Sequence, residues 1–155
     1  MIRCAFPDGV PVLLRHVVLH AVVERDGALL LVKRAPHMVE GGKWGLPGGF
    51  LDRDETLVEG VLRELREETG WTGEVRALLR VNSRPDRPGD EQNVAVDFVV
   101  TALARVGEPD HEQTAVEWIP IERLPPLAAL AFDHGETVAL YLRTRGGPMP
   151  PPSVE

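Results

Sequence analysis

The stretch from Gly49 to Trp71, GFLDRDETLVEGVLRELREETGW, joins a glycine-rich loop to a segment with helical periodicity. Thr56 and Glu59 form the S/T-x-x-E pattern of a capping box, and Gly70 stands at a position typical of a helix end. The apolar residues in between recur at the spacing of one helix face: Val58, Val61, Leu62 and Leu65. We therefore predict a helix from Leu57 to Thr69.

Three glutamates share one face of this predicted helix. Glu64, Glu67 and Glu68 stand at positions i, i+3 and i+4, so their side chains converge beside the apolar stripe. Like charges at this spacing repel, and a hard divalent cation, which prefers carboxylate oxygens, would remove the repulsion. The alternative is an ordinary solvated acidic face, balanced by arginines on the same helix. The preceding Pro47-Gly48-Gly49 favours the metal site, because glycine lets the loop approach the helix closely.

The same stretch resembles the Nudix box, G-x5-E-x7-R-E-U-x-E-E-x-G-U, in which U is aliphatic. The matching residues are Gly49, Glu55, Arg63, Glu64, Leu65, Glu67, Glu68 and Gly70. The departure is Trp71, which stands where an aliphatic residue is usual and concerns local packing rather than catalysis. The resemblance implies a Nudix hydrolase domain, which we expect over residues 1–145, with a three-layer α/β/α sandwich fold.

The resemblance also implies a metal site for Mg²⁺ or Mn²⁺. Its ligands would be Glu64, Glu67 and Glu68, together with the carbonyl of Gly49. One metal ion would activate water and another would bridge phosphate oxygens, so that water attacks phosphorus in line while the developing charge is neutralised. The implied activity is metal-dependent hydrolysis of a diphosphate linkage.

Four side chains are expected to take part in catalysis: Glu67, Arg63, Glu55 and Glu112. Arg63 would orient a glutamate of the box, and Glu55 would brace the loop or bind outer-shell water. The general base in this family is either a box glutamate or an acid from a later loop. Glu112 follows a long predicted strand and is a candidate for the base or for a fourth metal ligand. Its alternative interpretation is a solvated loop carboxylate.

The surrounding sequence predicts a mixed sheet covered by helices. β-branched and aliphatic runs predict strands at 16–24, 28–34, 74–81, 93–104 and 117–121. Asp26-Gly27 between the first two is a hairpin signal. Segments 35–50 and 84–92 are predicted loops, and residues 133–143 are a predicted second helix. This order of elements predicts the α/β or α+β class. The proline-rich tail, 146–155, should be disordered or extended.

Composition narrows the classes of partner. A net charge of −7 and the absence of a basic run argue against nucleic-acid binding. The sequence has no apolar stretch of about 18 residues that would suit a membrane span and no signal peptide at its start, so we expect a cytoplasmic protein. The single cysteine, Cys4, excludes an internal disulfide. Residues 1–14 could pair with a neighbouring subunit and form a homodimer.

The substrate class rests on short matches outside the box. Residues 83–92 and the sequence AFDH at 131–134 are similar to the ADP-ribose pyrophosphatase-like branch, which implies a nucleoside diphosphate linked to another group, such as ADP-ribose or a sugar nucleotide. The alternatives are a nucleoside triphosphate pyrophosphatase and a non-catalytic Nudix-like sensor. Candidate substrate-binding residues are Arg34, Arg84, Arg87 and Trp44, although surface arginines are usually just solvated. In structural terms, Phe132 would be core, Asp133 a helix cap and His134 a surface residue.

Overall fold

The computed structural model describes residues 2–87 and 93–155, so the predicted loop at 84–92 lies partly outside the described residues. In these two ranges the chain forms ten strands, two α-helices and two short 3-10 helices, Ile121–Arg123 and Leu127–Ala129. The strands are β1 (Ile2–Ala5), β2 (Pro11–Leu14), β3 (Val17–Arg25), β4 (Ala28–Arg34), β5 (Trp44–Gly45), β6 (Gly48–Phe50), β7 (Trp71–Asn82), β8 (Val94–Arg105), β9 (Gln113–Pro120) and β10 (Ser153–Val154). The α-helices are α1 (Leu57–Thr69) and α2 (His134–Thr144).

Strand β3 lies at the centre of the mixed sheet. It pairs in parallel with β8 and antiparallel with β6, and a turn at Asp26 and Gly27 connects it to β4. Both turn residues have positive φ, 52° and 74°, which is the conformation that the Asp-Gly signal predicts. The sheet continues from β8 to β7 and β10 on one side, and from β4 to β5 and β9 on the other.

Two apolar cores cover opposite faces of the sheet, because successive side chains of a strand point to opposite faces. On one face, α1 packs its buried residues against alternate residues of β3: Val61, Leu65, Leu19, Ala21 and Val23. On the other face, α2 packs against the intervening strand positions: Val138, Tyr141, Val22, Leu29 and Leu31. The predicted α/β/α arrangement is therefore confirmed.

Helix α1 begins and ends where local sequence signals place it. The Thr56 hydroxyl accepts a hydrogen bond from the backbone N–H of Glu59, and the Glu59 carboxylate accepts one from the backbone N–H of Thr56. Gly70 closes the helix in the left-handed conformation, with φ 73°. The predicted bounds, Leu57 to Thr69, are confirmed. They could be predicted because both ends of the helix are determined by residues adjacent to it in sequence.

Trp71, the departure from the box pattern, belongs to an aromatic cluster at the start of β7. Its ring meets that of Trp118 edge to face, with the centroids 5.6 Å apart. The guanidinium of Arg25 lies 4.6 Å from the ring centroid of Trp71 and 4.5 Å from that of Trp118. An aliphatic side chain at position 71 would lose the cation–π contact with Arg25 and the edge-to-face contact with Trp118, which accounts for tryptophan at this position.

Other boundaries differ from the sequence predictions where tertiary pairing extends an element. β9 begins at Gln113, four residues before the predicted strand, because it pairs along β4. The predicted loop at 35–50 contains the short strands β5 and β6. The N-terminal hairpin, β1 and β2, was not predicted as strands, and its residues are mostly exposed.

The C-terminal tail is attached to the sheet. β10 pairs in parallel with β7, and the backbone N–H of Glu155 donates to the carbonyl of Val81. The Glu155 side chain also accepts a hydrogen bond from buried Arg80. The end of the segment expected to be disordered or extended is therefore a short strand. No helix within 2–87 and 93–155 is long and apolar enough to cross a membrane.

Candidate active site

A cleft of 420 Å³ brings together α1, the loop before it, the loop before β9 and the start of α2. Its acidic lining residues are Glu64, Glu67, Glu68, Asp110 and Glu112. Its basic lining residues are Arg34, Arg63 and Arg87. The cleft therefore concentrates both signs of charge in one concave site, a composition suited to a metal ion and an anionic substrate.

Arg63 connects the carboxylates of this cleft to the loop before α1. Its Nε and Nη2 donate to the two oxygens of Glu55 over 2.9 and 2.7 Å. Its Nη1 donates to Glu64 over 2.8 Å and to Glu67 over 3.1 Å, while Nη2 also donates to the carbonyl of Phe50. The hydrogen bond with Glu55, followed by those with the other two glutamates, raises the pKa of Arg63 and keeps it charged. Arg63 thus holds three carboxylates and the loop in a fixed relation.

Glu68 is buried and Glu64 is partly buried, and both resist ionisation. Glu68 is 4% exposed, and burial raises its pKa to about 8 although it accepts a 2.7 Å hydrogen bond from the backbone N–H of Gly48. Burial also raises the pKa of Glu64, against the opposing effect of Arg63. Nearby carboxylates act in the same direction as burial at both residues. Two acids with these pKa shifts in a cleft indicate a functional site.

Gly48 and Gly49 allow the loop to approach these glutamates. Gly48 has a φ of 154°, and a Cβ there would lie 1.9 Å from the carbonyl oxygen of Leu19. A Cβ at Gly49 would lie 2.5 Å from a carboxylate oxygen of Glu64. Because the Cβ at Gly48 would collide with backbone, glycine is required there, whereas a Cβ at Gly49 would push the Glu64 carboxylate out of its position.

Glu112 lies in the cleft, as does a second acid that the sequence analysis did not single out. Asp110 also lines the cleft, and its backbone N–H donates to the carbonyl of Glu67 over 2.9 Å. The Asp110 carboxylate accepts a hydrogen bond from the backbone N–H of Glu112. Both acids raise the pKa of Glu68. The available signal for Asp110 was its place two residues before Glu112 on the same loop.

The carboxylates of the cleft are chemically suited to a divalent cation, but they are not already arranged around a metal position. Carboxylates with raised pKa values would be stabilised in their charged form by a cation. However, no three His, Cys, Asp or Glu side chains among the described residues are positioned to form a metal site as they stand. Arg63 holds Glu64 and Glu67, and Gly48 holds Glu68. Binding a metal ion would therefore require these glutamates to exchange protein hydrogen bonds for metal ligation.

Two of the four candidate substrate-binding residues lie in the cleft. Arg34 and Arg87 line the cleft, whereas within the described part of the chain Arg84 and Trp44 are not among its lining residues. Arg84 lies 3.6 Å from carboxylate oxygens of Glu136 and Glu155, and these ion pairs direct it toward the C-terminal tail. Trp44 packs against the core beneath α2. These packing and charge contacts are the physical reason that the two residues are not placed in the cleft.

The AFDH segment contributes to the cleft in a way that the sequence interpretation missed. Phe132 is partly exposed, lines the cleft and has a φ of 51°, so it is not a core residue. Asp133 stands at the N-cap of α2, but within the described residues its carboxylate accepts from Asn82 and Arg87 instead of capping the first turn. His134 is 4% exposed rather than a surface residue. The interpretations of Phe132 as core and of His134 as a surface residue were therefore wrong, whereas Asp133 does occupy the predicted cap position of α2.

Asp133 gives a prediction about acid stability. Burial opposes ionisation of Asp133, but the hydrogen bond and the positive charge of Arg87, with smaller contributions from His20 and His134, together lower its pKa from 3.8 to about 2. Because the folded-state pKa is depressed, its stabilisation is present above pH 4 and is lost as the pH falls toward 2. We expect the difference in unfolding free energy between wild type and D133N to shrink by about 2 kcal/mol from pH 6 to pH 2. Urea unfolding curves measure it, with exposed Asp54 in D54N as control; a difference that does not change with pH would contradict it.

Comparison with known proteins agrees with this geometry. The family model of the NUDIX domain matches residues 13–141. An ADP-ribose pyrophosphatase from Methanocaldococcus jannaschii is 33% identical over 131 residues, which cover 84% of this chain and 75% of that protein. A NUDIX hydrolase structure from Nitrosomonas europaea superposes with a TM-score of 0.81 at 28% identity, covering 99% of this chain and 86% of the other.

A second similar structure was determined with a ligand. It is the NUDIX domain of Shewanella oneidensis NrtR in complex with ADP ribose, with a TM-score of 0.71 and 27% identity, covering 89% of this chain and 92% of the other. The family match spans the whole described cleft, from β3 to α2, and includes the loop and helix that carry its carboxylates. The chain therefore belongs to the Nudix family of hydrolases.

Proposed function

We propose that this Nudix hydrolase cleaves the diphosphate linkage of a nucleoside diphosphate joined to another group, with ADP-ribose or a sugar nucleotide as substrate and Mg²⁺ or Mn²⁺ as cofactor. The observation that carries the proposal is the convergence of five carboxylates with Arg34, Arg63 and Arg87 in one cleft. The relative named ADP-ribose pyrophosphatase and the NrtR domain crystallised with ADP ribose support the choice of substrate class.

In this proposal the residues of α1 hold the metal. Glu64, Glu67, Glu68 and the carbonyl of Gly49 would be its ligands. When bound, the metal ion lowers the pKa of water and neutralises charge on phosphate oxygens. Arg63 would keep the carboxylates oriented through the hydrogen bonds that it makes to them.

The remaining cleft residues would position the substrate and accept a proton. Glu112 or Asp110 would take the proton of the attacking water, since both acids line the cleft close enough to perturb Glu68. Arg34 and Arg87 would bind phosphate oxygens, because guanidinium groups offer paired donors to oxyanions. Glu55 would act indirectly by holding Arg63 through two hydrogen bonds.

Phe132 would bind the nucleobase. Its ring lines the cleft, and the guanidinium of Arg34 lies 5.0 Å from the ring centroid. The positive φ of Phe132 is costly for a residue other than glycine, and strain of this kind concentrates at functional sites. An aromatic ring presented in this way can stack on any base.

Replacing Phe132 with leucine tests this assignment. F132L keeps an apolar side chain but removes the aromatic face, so we expect the inhibition constant of AMP to rise about tenfold. The inhibition constant of ribose 5-phosphate, which lacks a base, should stay the same. Competition assays against the best substrate measure both constants. Equal changes for the two ligands, or no change for AMP, would contradict a base-stacking role.

A substrate panel tests the function itself. Purified protein is incubated with ADP-ribose, sugar nucleotides, dinucleotides and nucleoside triphosphates, with Mg²⁺ or with a chelator, and the products are separated. We expect AMP and ribose 5-phosphate from ADP-ribose with Mg²⁺, and no turnover with the chelator. Preferential cleavage of triphosphates would favour a triphosphate pyrophosphatase instead. Absence of turnover across the panel would favour a non-catalytic sensor.

A further inference from the structure

Two buried histidines connect the sheet to the loop before α1. The Nδ1 of His20, on β3, lies 2.8 Å from a carboxylate oxygen of Asp97 on β8. The Nε2 of His134, at the start of α2, lies 3.2 Å from the Nε2 of His20. The backbone N–H of Leu46 donates to the Nδ1 of His134 over 2.9 Å. We call Asp97, His20 and His134 the histidine relay.

The partners of the histidine relay determine where its protons lie. A backbone N–H can only donate, so the Nδ1 of His134 is unprotonated and its neutral ring carries a proton on Nε2. That proton is donated to the Nε2 of His20, whose own proton must then lie on Nδ1 and face Asp97. Burial, together with His20, lowers the pKa of His134 well below its usual value, which agrees with a neutral ring. The two histidines are therefore opposite tautomers.

The histidine relay ends on the loop that approaches the glutamates. A Cβ at Gly45 would lie 2.8 Å from the Nδ1 of His134, so glycine is needed there for the imidazole to reach Leu46. Two residues after Leu46, the backbone N–H of Gly48 donates to Glu68. Gly48 is also the ladder partner of His20. The anchor at Leu46 and this ladder pair hold the loop at two nearby points.

We propose that the histidine relay is a positioning device for the Nudix reaction. By anchoring Leu46, it sets the position of the Gly48 N–H and the Gly49 carbonyl relative to the glutamates of α1. Both histidines line the cleft, but all four of their ring nitrogens are already hydrogen bonded within the relay and to Leu46. They act through the loop rather than on the substrate. This role rests on the proposed metal site.

The ring nitrogen that carries the proton in each histidine can be measured by NMR, which tests this geometry without an activity assay. We expect long-range ¹H–¹⁵N spectra of metal-free wild-type protein to show His134 protonated on Nε2 and His20 protonated on Nδ1. The signals are assigned by their disappearance in H134N and H20N. The same tautomer in both rings, or a doubly protonated ring at neutral pH, would overturn the histidine relay.

Two substitutions of His134 test the positioning role. The Oδ1 of asparagine in H134N can occupy the place of Nδ1 and accept from Leu46, whereas H134L offers no acceptor. We expect H134L to lower kcat by about 10-fold to 100-fold with little change in KM for the substrate, as for partners that orient metal ligands. H134N should restore most of the lost kcat. Thermal melting of both variants separates this effect from loss of fold.

The kcat values of H134N and H134L decide whether the Leu46 anchor matters for turnover. Equal kcat values in folded H134N and H134L would overturn the proposal, because the Leu46 anchor would then have no effect. If H134L does not fold, H134Q replaces it, since its amide reaches the Nε2 position but not that of Nδ1. The variants are compared on whichever diphosphate the wild type cleaves. If the wild type cleaves none, the proposed function fails, while the tautomers still decide whether the histidine relay exists.

Discussion

Replacing Glu67 with glutamine is expected to lower kcat by about 10³-fold, because a neutral amide is a poor ligand for a hard cation and about 4 kcal/mol of transition-state stabilisation would be lost. Glu67 is the most exposed of the three α1 glutamates that line the cleft, with 44% of its side chain accessible. Its described side-chain hydrogen bond is the 3.1 Å contact from Arg63. The unfolding free energy should therefore change by no more than about 0.5 kcal/mol.

A matched control for E67Q is E74Q. Glu74 is an exposed carboxylate on β7 that lies 3.3 Å from Arg76, outside the cleft lining. Steady-state kinetics at saturating Mg²⁺ should show normal turnover for E74Q and a large loss for E67Q. Near-normal kcat in folded E67Q would contradict the assignment of Glu67 as a metal ligand.

Replacing Arg63 with methionine is expected to affect both turnover and stability. The change removes the partner of Glu55, Glu64 and Glu67 and keeps a similar apolar stem. We expect kcat to fall by about 100-fold, because the carboxylates lose the group that orients them. The unfolding free energy should fall by about 1 to 3 kcal/mol, the usual cost of leaving partly buried charged groups without a hydrogen-bond partner.

The effect of Mg²⁺ on the melting temperature of R63M tests whether its instability comes from uncompensated carboxylates. A divalent cation can replace the missing positive charge, so Mg²⁺ should raise the melting temperature of R63M more than that of the wild type. R66M is the control, since Arg66 is on the same helix but 58% exposed and 3.9 Å from Glu67. An equal effect of Mg²⁺ on wild type and R63M would argue that Arg63 does not compensate the carboxylates.

Local signals were sufficient to predict the catalytic helix. The capping residue Thr56, the closing Gly70 and the three glutamates all lie within 15 consecutive positions, so their geometry follows from the regular helix itself. The hairpin at Asp26 was predictable for the same reason. In each case the residues that determine the structure are neighbours in sequence.

The remainder of the cleft depends on residues that are distant in sequence. His20 and His134 are separated by 114 positions and meet only because α2 packs over β3. Arg87 and Asp133 are 46 positions apart, and their ion pair selects Arg87 rather than Arg84 for the cleft. Surface arginines look alike in a sequence, since their partners are supplied by tertiary packing.

Binding of Mn²⁺ tests the central claim, that the carboxylates of this cleft hold a divalent cation for diphosphate hydrolysis. Free Mn²⁺ is quantified by electron paramagnetic resonance during titration of wild type, E67Q and E74Q, each without substrate. We expect wild type and E74Q to bind Mn²⁺ with the same affinity and E67Q to bind at least about tenfold more weakly, the loss expected from about 1.4 kcal/mol of ligation energy. Equal affinities in all three proteins would place the metal ion elsewhere and contradict the account.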